Sequence, residues 1–181
     1  MVRAVVYLDR DGTINEDVGY IGDPDRIRLL EGAARAIRRL NTEGVKVIVI
    51  TNQSGVARGL YTEDELDEVN RRLVGLLEAE GAHLDGVYYC PHHPDDGCGC
   101  RKPEAGLVKK AAAEHGLSAL RSYVVGDKAS DIELAANIGA EGILVLTGMG
   151  KGQLEGLRRR PAFIARDLGE AVDWIVNDLE E

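Results

Sequence analysis

Aromatic side chains are scarce in this 181-residue chain, with one Trp, one Phe and six Tyr together making up 4%. An all-β sandwich is disfavoured on that ground, and an aliphatic sheet covered by Ala- and Leu-rich helices is expected. Basic residues are also outnumbered, 22 Lys and Arg against 31 Asp and Glu, for a formal net charge of -9. That balance argues against nucleic acid and anionic membrane as partners, since both require cationic surface. No apolar run approaches membrane-spanning length, and the first strand signal begins without a signal-type apolar segment, so a cytoplasmic location is expected. Cysteine is limited to Cys90, Cys98 and Cys100, which cannot all pair and which share one short loop with His92. Such clustering points to a metal site and not to a disulfide framework.

The length suits one hydrophobic core, so residues 1–181 are expected to form a single domain. Strand signals at Ala4 to Leu8, Val45 to Thr51, Val87 to Cys90, Ser122 to Gly126 and Gly142 to Leu146 alternate with helical ones. From Thr62 to Glu80, Leu66, Val69, Leu73 and Leu77 recur at helical spacing behind a Thr62–Glu65 capping box. Pro103 suits the first turn of the next helix, Ser130 with Glu133 a second capping box, and Gly81, Gly116 and Gly139 the helix ends. Leu168 to Leu179 reads as a last amphipathic helix, with Trp174 resting on the sheet edge. Repeated strand-helix-strand units demand right-handed crossovers, which predicts a doubly wound three-layer α/β sandwich with a mostly parallel sheet.

Polar clusters follow four of these strands, where open parallel sheets bind ligands. Asp9-Arg10-Asp11-Gly12-Thr13 places two carboxylates two positions apart after the first strand, an arrangement that can share a divalent cation and divide nucleophile and acid/base duties. Taken alone, Asp-Gly is an ordinary turn. Thr51-Asn52-Gln53-Ser54-Gly55 adds hydroxyl, amide and backbone N–H groups suited to phosphoryl oxygens. Arg101-Lys102 sets two cations ahead of a helix, and Gly126-Asp127-Lys128 returns a carboxylate and a cation to the same edge.

Together these residues resemble the four signature motifs of the haloacid dehalogenase superfamily of phosphatases: DxDGT, a strand-terminal Thr, a Lys, and GD followed by a further Asp. The resemblance spans nearly the whole chain. It implies that Asp9 is the nucleophile, forming an aspartyl-phosphate, and that Asp11 is first general acid, then base. It further implies that Thr51 and Lys102 hold the transferring phosphoryl group, and that catalytic Mg²⁺ sits on Asp9, Asp127 and the Asp11 backbone carbonyl. Within the superfamily, CPHHP, CGC followed by RKP, TNQSGVARG and GDKASD resemble a bacterial branch acting on sugar bisphosphates; the cysteine loop equally resembles a branch acting on an amino-alcohol phosphate. The stretch from Ser54 to Gly59 favours the sugar branch. By that resemblance Asp17, Val18, Gly19 and Tyr20 form a substrate-contacting flap, Arg101 recognises the sugar end and Lys128 assists at the phosphate.

Cys90, His92, Cys98 and Cys100 supply the donors of a closed tetrahedral Cys₃His zinc site, with His93 the alternative imidazole. The loop at 90–100 runs directly into Arg101-Lys102, so a structural Zn²⁺ would fix those cations without doing chemistry. His83 is expected in solvent and His115 at a helix end. The intervals after Asp11 and Tyr89 leave no room for a cap domain, so a capless, open monomer is expected, with specificity set by loops. A phosphoacceptor signalling domain would also cluster Asp, Thr and Lys at strand ends; the paired Asp9 and Asp11, the cysteine loop and the extra length stand against it.

Overall fold

A computed structural model describes residues 2–117 and 120–181. Its strands are β1 (Ala4–Leu8), β2 (Val45–Asn52), β3 (Gly86–Cys90), β4 (Arg121–Gly126), β5 (Glu141–Val145) and β6 (Phe163–Ala165). Every pairing is parallel, in the order β3-β2-β1-β4-β5-β6. The sheet is therefore wholly parallel where a mostly parallel one was expected. β6 was absent from the sequence reading: three residues at a sheet edge carry too short a signal to stand out.

The period-2 geometry of the strands divides the core in two. Val6, Leu8, Val47, Val49 and Val125 point to the face covered by α1 (Ala33–Thr42), α2 (Glu63–Ala79) and α6 (Leu168–Glu180). Val5, Tyr7, Ile48, Ile50 and Val124 point to the face covered by α3 (Gly106–His115) and α4 (Ala129–Ile138). Both faces of β1 are buried, hence its unbroken apolar run. α2 starts at the expected Thr62–Glu65 capping box. Trp174 stacks on Phe163 of edge strand β6.

The start of α3 and the cap of α4 differ from expectation. Pro103 lies outside α3, which begins at Gly106 because the preceding chain turns through Glu104 N–H to Arg101 C=O. α4 begins at Ala129, and its reciprocal carboxylate is Asp131, which accepts from the Lys128 N–H; Ser130 lies inside the helix. Residues 146–149 lead from β5 into the short α5 (Gly150–Gln153). Among the described residues no helix is long and apolar enough to cross a membrane.

Strand order reverses between the paired strands β1 and β4, from which the chain continues to opposite halves of the sheet. Doubly wound sheets bind ligands at such a point. Asp9 follows β1 there and Asp127 follows β4, tied together where the Asp9 N–H donates to the Val125 C=O at 2.9 Å.

Candidate active site

Asp9 is 4% exposed and lies between two ammonium groups. Lys102 Nζ donates to Asp9 Oδ1 at 2.9 Å and to Asp131 Oδ1 at 2.7 Å. Lys128 Nζ reaches Asp9 Oδ2 at 3.3 Å, Asp127 Oδ1 at 3.1 Å and the Asp11 backbone carbonyl at 3.3 Å. Burial alone would raise the Asp9 carboxyl, but the charges of Lys102 and Lys128 outweigh it and hold the group well below the usual carboxylate range. Asp127 has no such surplus of cations: burial, reinforced by the charge of Asp9, pushes it up to about 7. Both lysines stay charged; burial opposes that state and the surrounding carboxylates more than restore it.

Backbone geometry makes this crowding possible. Gly12 has φ +84°, and a Cβ there would lie 2.2 Å from Asp127 Oδ2; Gly148 has φ +53° and a Cβ there would lie 2.3 Å from the same atom. Only glycine fits either position. Met149 N–H donates to Asp127 Oδ2 at 2.8 Å, and Thr147 Oγ1 donates to the Gly12 carbonyl at 2.7 Å.

The Asp11 side chain points to a different set of partners. Arg10, fully buried, grips both its oxygens at 3.0 and 3.1 Å through Nη2, and its own Nη1 is held by Asn70. Asn15 Nδ2 donates to Asp11 Oδ1 and Gln53 Nε2 to Oδ2, each at 2.9 Å. Thr51, buried at the end of β2, accepts from that same Gln53 nitrogen at 2.9 Å.

Of the other sequence candidates, Asn52 is spent on scaffolding: its amide accepts from Lys102 N–H at 3.0 Å and donates to Lys102 C=O at 3.3 Å, fixing the backbone that carries the ammonium. Ser54 Oγ accepts from Arg58 Nε. Residues 14–16 bridge to 28–30 through Glu16 N–H to Arg28 C=O and Leu30 N–H to Ile14 C=O, so Asp17, Val18, Gly19 and Tyr20 project as a flap. Asp17 comes within 3.9 Å of Lys128, Gly19 takes φ +85°, and Val18 and Tyr20 are exposed, the Tyr20 ring lying under Arg58. Arg101 Nη1 is buried with no hydrogen-bond partner among the described residues.

The sequence marks Asp131 only as the further Asp of the fourth motif, and it gives no role to Arg10, Asn70, Asn15 or Tyr61. Asp131 lies in the first turn of α4, four residues after Asp127. Arg10 and Asn70 bond across 60 residues of chain, whereas Asn15 and Tyr61 bond Asp11 and Gln53 within loops, and no helix or strand pattern announces any of them.

A second cluster brings Cys90, His92, Cys98 and Cys100 together, one donor atom from each within 4.8 Å of the rest. Sulfur separations are 3.1 to 3.5 Å, and His92 Nδ1 lies 3.1 Å from Cys100 Sγ. Zinc–sulfur bonds near 2.3 Å would set tetrahedral edges of about 3.8 Å, so little adjustment separates this packing from a Cys₃His shell. His93 faces away and accepts from Asp95 N–H. The loop is seated on α3, where Gly106 N–H meets the Gly99 carbonyl and a Cβ at 106 would lie 2.3 Å from that oxygen. His83 is exposed, and His115, ending α3, contacts the Tyr88 hydroxyl at 3.1 Å.

An ionised carboxylate pinned by two ammonium groups at the switch point of a parallel sheet, with a second aspartate two residues on, defines the haloacid dehalogenase class of hydrolases. The HAD-hydrolase-like family model matches residues 99–171. The chain is 45% identical to a D-glycero-D-manno-heptose-1,7-bisphosphate 7-phosphatase of Thermosynechococcus vestitus, with 99% of this chain and 98% of that protein covered. It is 37% identical to the Yersinia pestis D-glycero-beta-D-manno-heptose-1,7-bisphosphate 7-phosphatase, covering 97% and 91% respectively. A crystal structure of the Bordetella bronchiseptica D,D-heptose 1,7-bisphosphate phosphatase, complexed with magnesium and phosphate, superposes with a TM-score of 0.90 at 33% identity, covering 97% of this chain and 99% of that one. The chain belongs to the haloacid dehalogenase-like family of heptose-1,7-bisphosphate phosphatases.

Proposed function

We propose that this protein removes the C7 phosphate of D-glycero-D-manno-heptose 1,7-bisphosphate, leaving heptose 1-phosphate, by way of an aspartyl-phosphate on Asp9. The observation that carries the mechanism is the double clamp on Asp9: Lys102 and Lys128 keep a buried carboxylate ionised and fixed, as a nucleophile must be. Asp9 attacks phosphorus, the bond to the sugar oxygen breaks, and Asp11 protonates the departing oxygen. Asp11 then takes a proton from water as it attacks, the Asp9–phosphorus bond breaks, and inorganic phosphate leaves. Acid/base help of this kind contributes roughly 10² to 10⁴ in rate. Lys102 and the Thr51 hydroxyl bind the phosphoryl oxygens as charge spreads over them.

Support for a Mg²⁺ site comes from Lys128, whose ammonium rests on the Asp9 and Asp127 carboxylates and the Asp11 carbonyl, three oxygens converging on one cation. Mg²⁺ bound there supplies a Lewis acid that screens Asp9 from the anionic substrate. Cys90, His92, Cys98 and Cys100 hold a structural Zn²⁺ that braces the approach to Lys102. Asn52, Gln53 and Ser54 shape the phosphate side of the crevice, while Arg101 and the flap residues Asp17, Val18, Gly19 and Tyr20 select the rest of the sugar phosphate. The protein works as a single-domain cytoplasmic monomer on this small substrate, without nucleic acid or membrane.

A substrate panel tests the reading. Heptose 1,7-bisphosphate, in one or both anomers, is expected to give the highest kcat/KM, with phosphate released from C7. The cationic end of histidinol phosphate would meet Arg101, Lys128 and Arg58, so faster turnover of that compound would overturn the assignment.

A further inference from the structure

Gln53 is hydrogen-bonded at both ends of its amide. Its single nitrogen donates one hydrogen to Asp11 Oδ2 and the other to Thr51 Oγ1, each at 2.9 Å, and its carbonyl accepts from the Tyr61 hydroxyl at 2.7 Å. Both side chains are buried, at 4% and 5% exposure. A Gln amide can flip, exchanging donor for acceptor, and a flip here would replace the Nε2 hydrogens that serve Asp11 Oδ2 and Thr51 Oγ1 with a carbonyl oxygen. The Tyr61 hydroxyl favours the present orientation by donating to Oε1, a bond that the flipped amide would lose. Burial raises the phenol and keeps it protonated.

The ring that delivers this hydroxyl is itself fixed. A Cβ at Gly22 would lie 2.6 Å from Tyr61 Cβ, and one at Gly55 would lie 2.3 Å from Tyr61 Cε1, so two glycine backbones flank the ring. Because Thr51 Oγ1 receives a hydrogen from Gln53, its own hydroxyl hydrogen is left for a phosphoryl oxygen. The same amide sets the position of Asp11 Oδ2. One buried phenol thus governs hydrogen-bond polarity at two groups that touch substrate.

We infer that Tyr61 is a positioning residue which acts through Gln53 to orient Asp11 and Thr51 for phosphoryl transfer. The inference rests on the roles given to Asp11 and Thr51 above. Tyr61→Phe keeps the ring and deletes the donor; Gln53→Met deletes the relay. The kcat/KM value covers the steps up to phospho-enzyme formation, and p-nitrophenolate departs without protonation whereas a sugar alkoxide does not. On the sugar bisphosphate, Tyr61→Phe should lower kcat/KM about tenfold, the loss one hydrogen bond carries, and the fall on p-nitrophenyl phosphate should be several-fold smaller. The double variant should be no worse than Gln53→Met alone. Equal losses on both substrates, or additive losses in the double variant, would overturn the inference. Asp11→Asn keeps the two readings apart: if it treats both substrates alike, the acid role fails while the Tyr61–Gln53 cycle still decides the relay.

Discussion

On the Mg²⁺ site proposed above, Lys128 and the metal would compete for one set of oxygens, and Lys128→Met should reveal it in two opposite signs. The ammonium lies 3.3 and 3.1 Å from Asp9 and Asp127. A unit pair at about 4 Å is worth roughly 4 kcal/mol at an effective dielectric near 20, before desolvation is subtracted. Breaking a fully buried pair costs about 3–5 kcal/mol, and since 33% of the Lys128 side chain meets solvent, about 2 kcal/mol is the better figure. Urea unfolding in EDTA should show that loss. Mg²⁺ at the proposed site would have to displace the ammonium in wild type but not in the variant. Returning about 2 kcal/mol to the metal tightens its dissociation constant by roughly 30-fold, which titration calorimetry reads without turnover. Unchanged or weaker Mg²⁺ binding in Lys128→Met, together with wild-type stability in EDTA, would refute the stand-in role.

Asp9→Asn should abolish turnover while far-UV circular dichroism stays that of wild type; measurable turnover would exclude Asp9 as nucleophile. Freshly purified active protein should carry one zinc per chain by elemental analysis, and Cys98→Ala should lose that zinc and most of its activity through misplacement of Lys102. Arg101→Ala should lower kcat/KM for the sugar bisphosphate at least tenfold but barely change that for p-nitrophenyl phosphate, which has no remote end to recognise. Asp127 has a folded value near 7 against an ordinary value of 3.8, so it contributes stability below pH 4 that is lost as pH rises through 7. Metal-free wild type should therefore weaken relative to Asp127→Asn by about 1.4 kcal/mol per pH unit between pH 5 and 6.5, measured by urea unfolding in EDTA.

What could be read from the sequence was whatever is local. β1 announced itself because both its faces are buried, α2 because Thr62 and Glu65 cap it four residues before its first apolar contact, and the site because each polar cluster directly follows a strand. Pro103 and Ser130 misled for the same reason, since both satisfy helix-start rules that distant bonds override: Asn52 holds the chain at Lys102, and Asp131 is drawn to Lys102 and the Lys128 N–H. Gln53 was picked out as a phosphate-side residue without any sign that Tyr61 would orient it, because the partners meet only after β2 and the loop behind it have folded.

Charge explains why so many residues around Asp9 escape local patterns. Asp9, Asp11, Asp127 and Asp131 crowd one crevice, and Arg10, Lys102 and Lys128 answer them, each bonded to at least one. Four carboxylates face three cations there, and burial, with the charge of Asp9 added to it, shows as the upward shift of Asp127. A phosphate dianion cannot enter such a place unaided. A divalent cation held by Asp9 and Asp127 would offset that charge. Arg10 stays behind on Asp11, where full burial and the bond to Asn70 keep it from the phosphate. The three cations thus differ in confinement: Arg10 is locked on Asp11, Lys102 is fixed between Asp9 and Asp131, and the Lys128 side chain is one-third exposed.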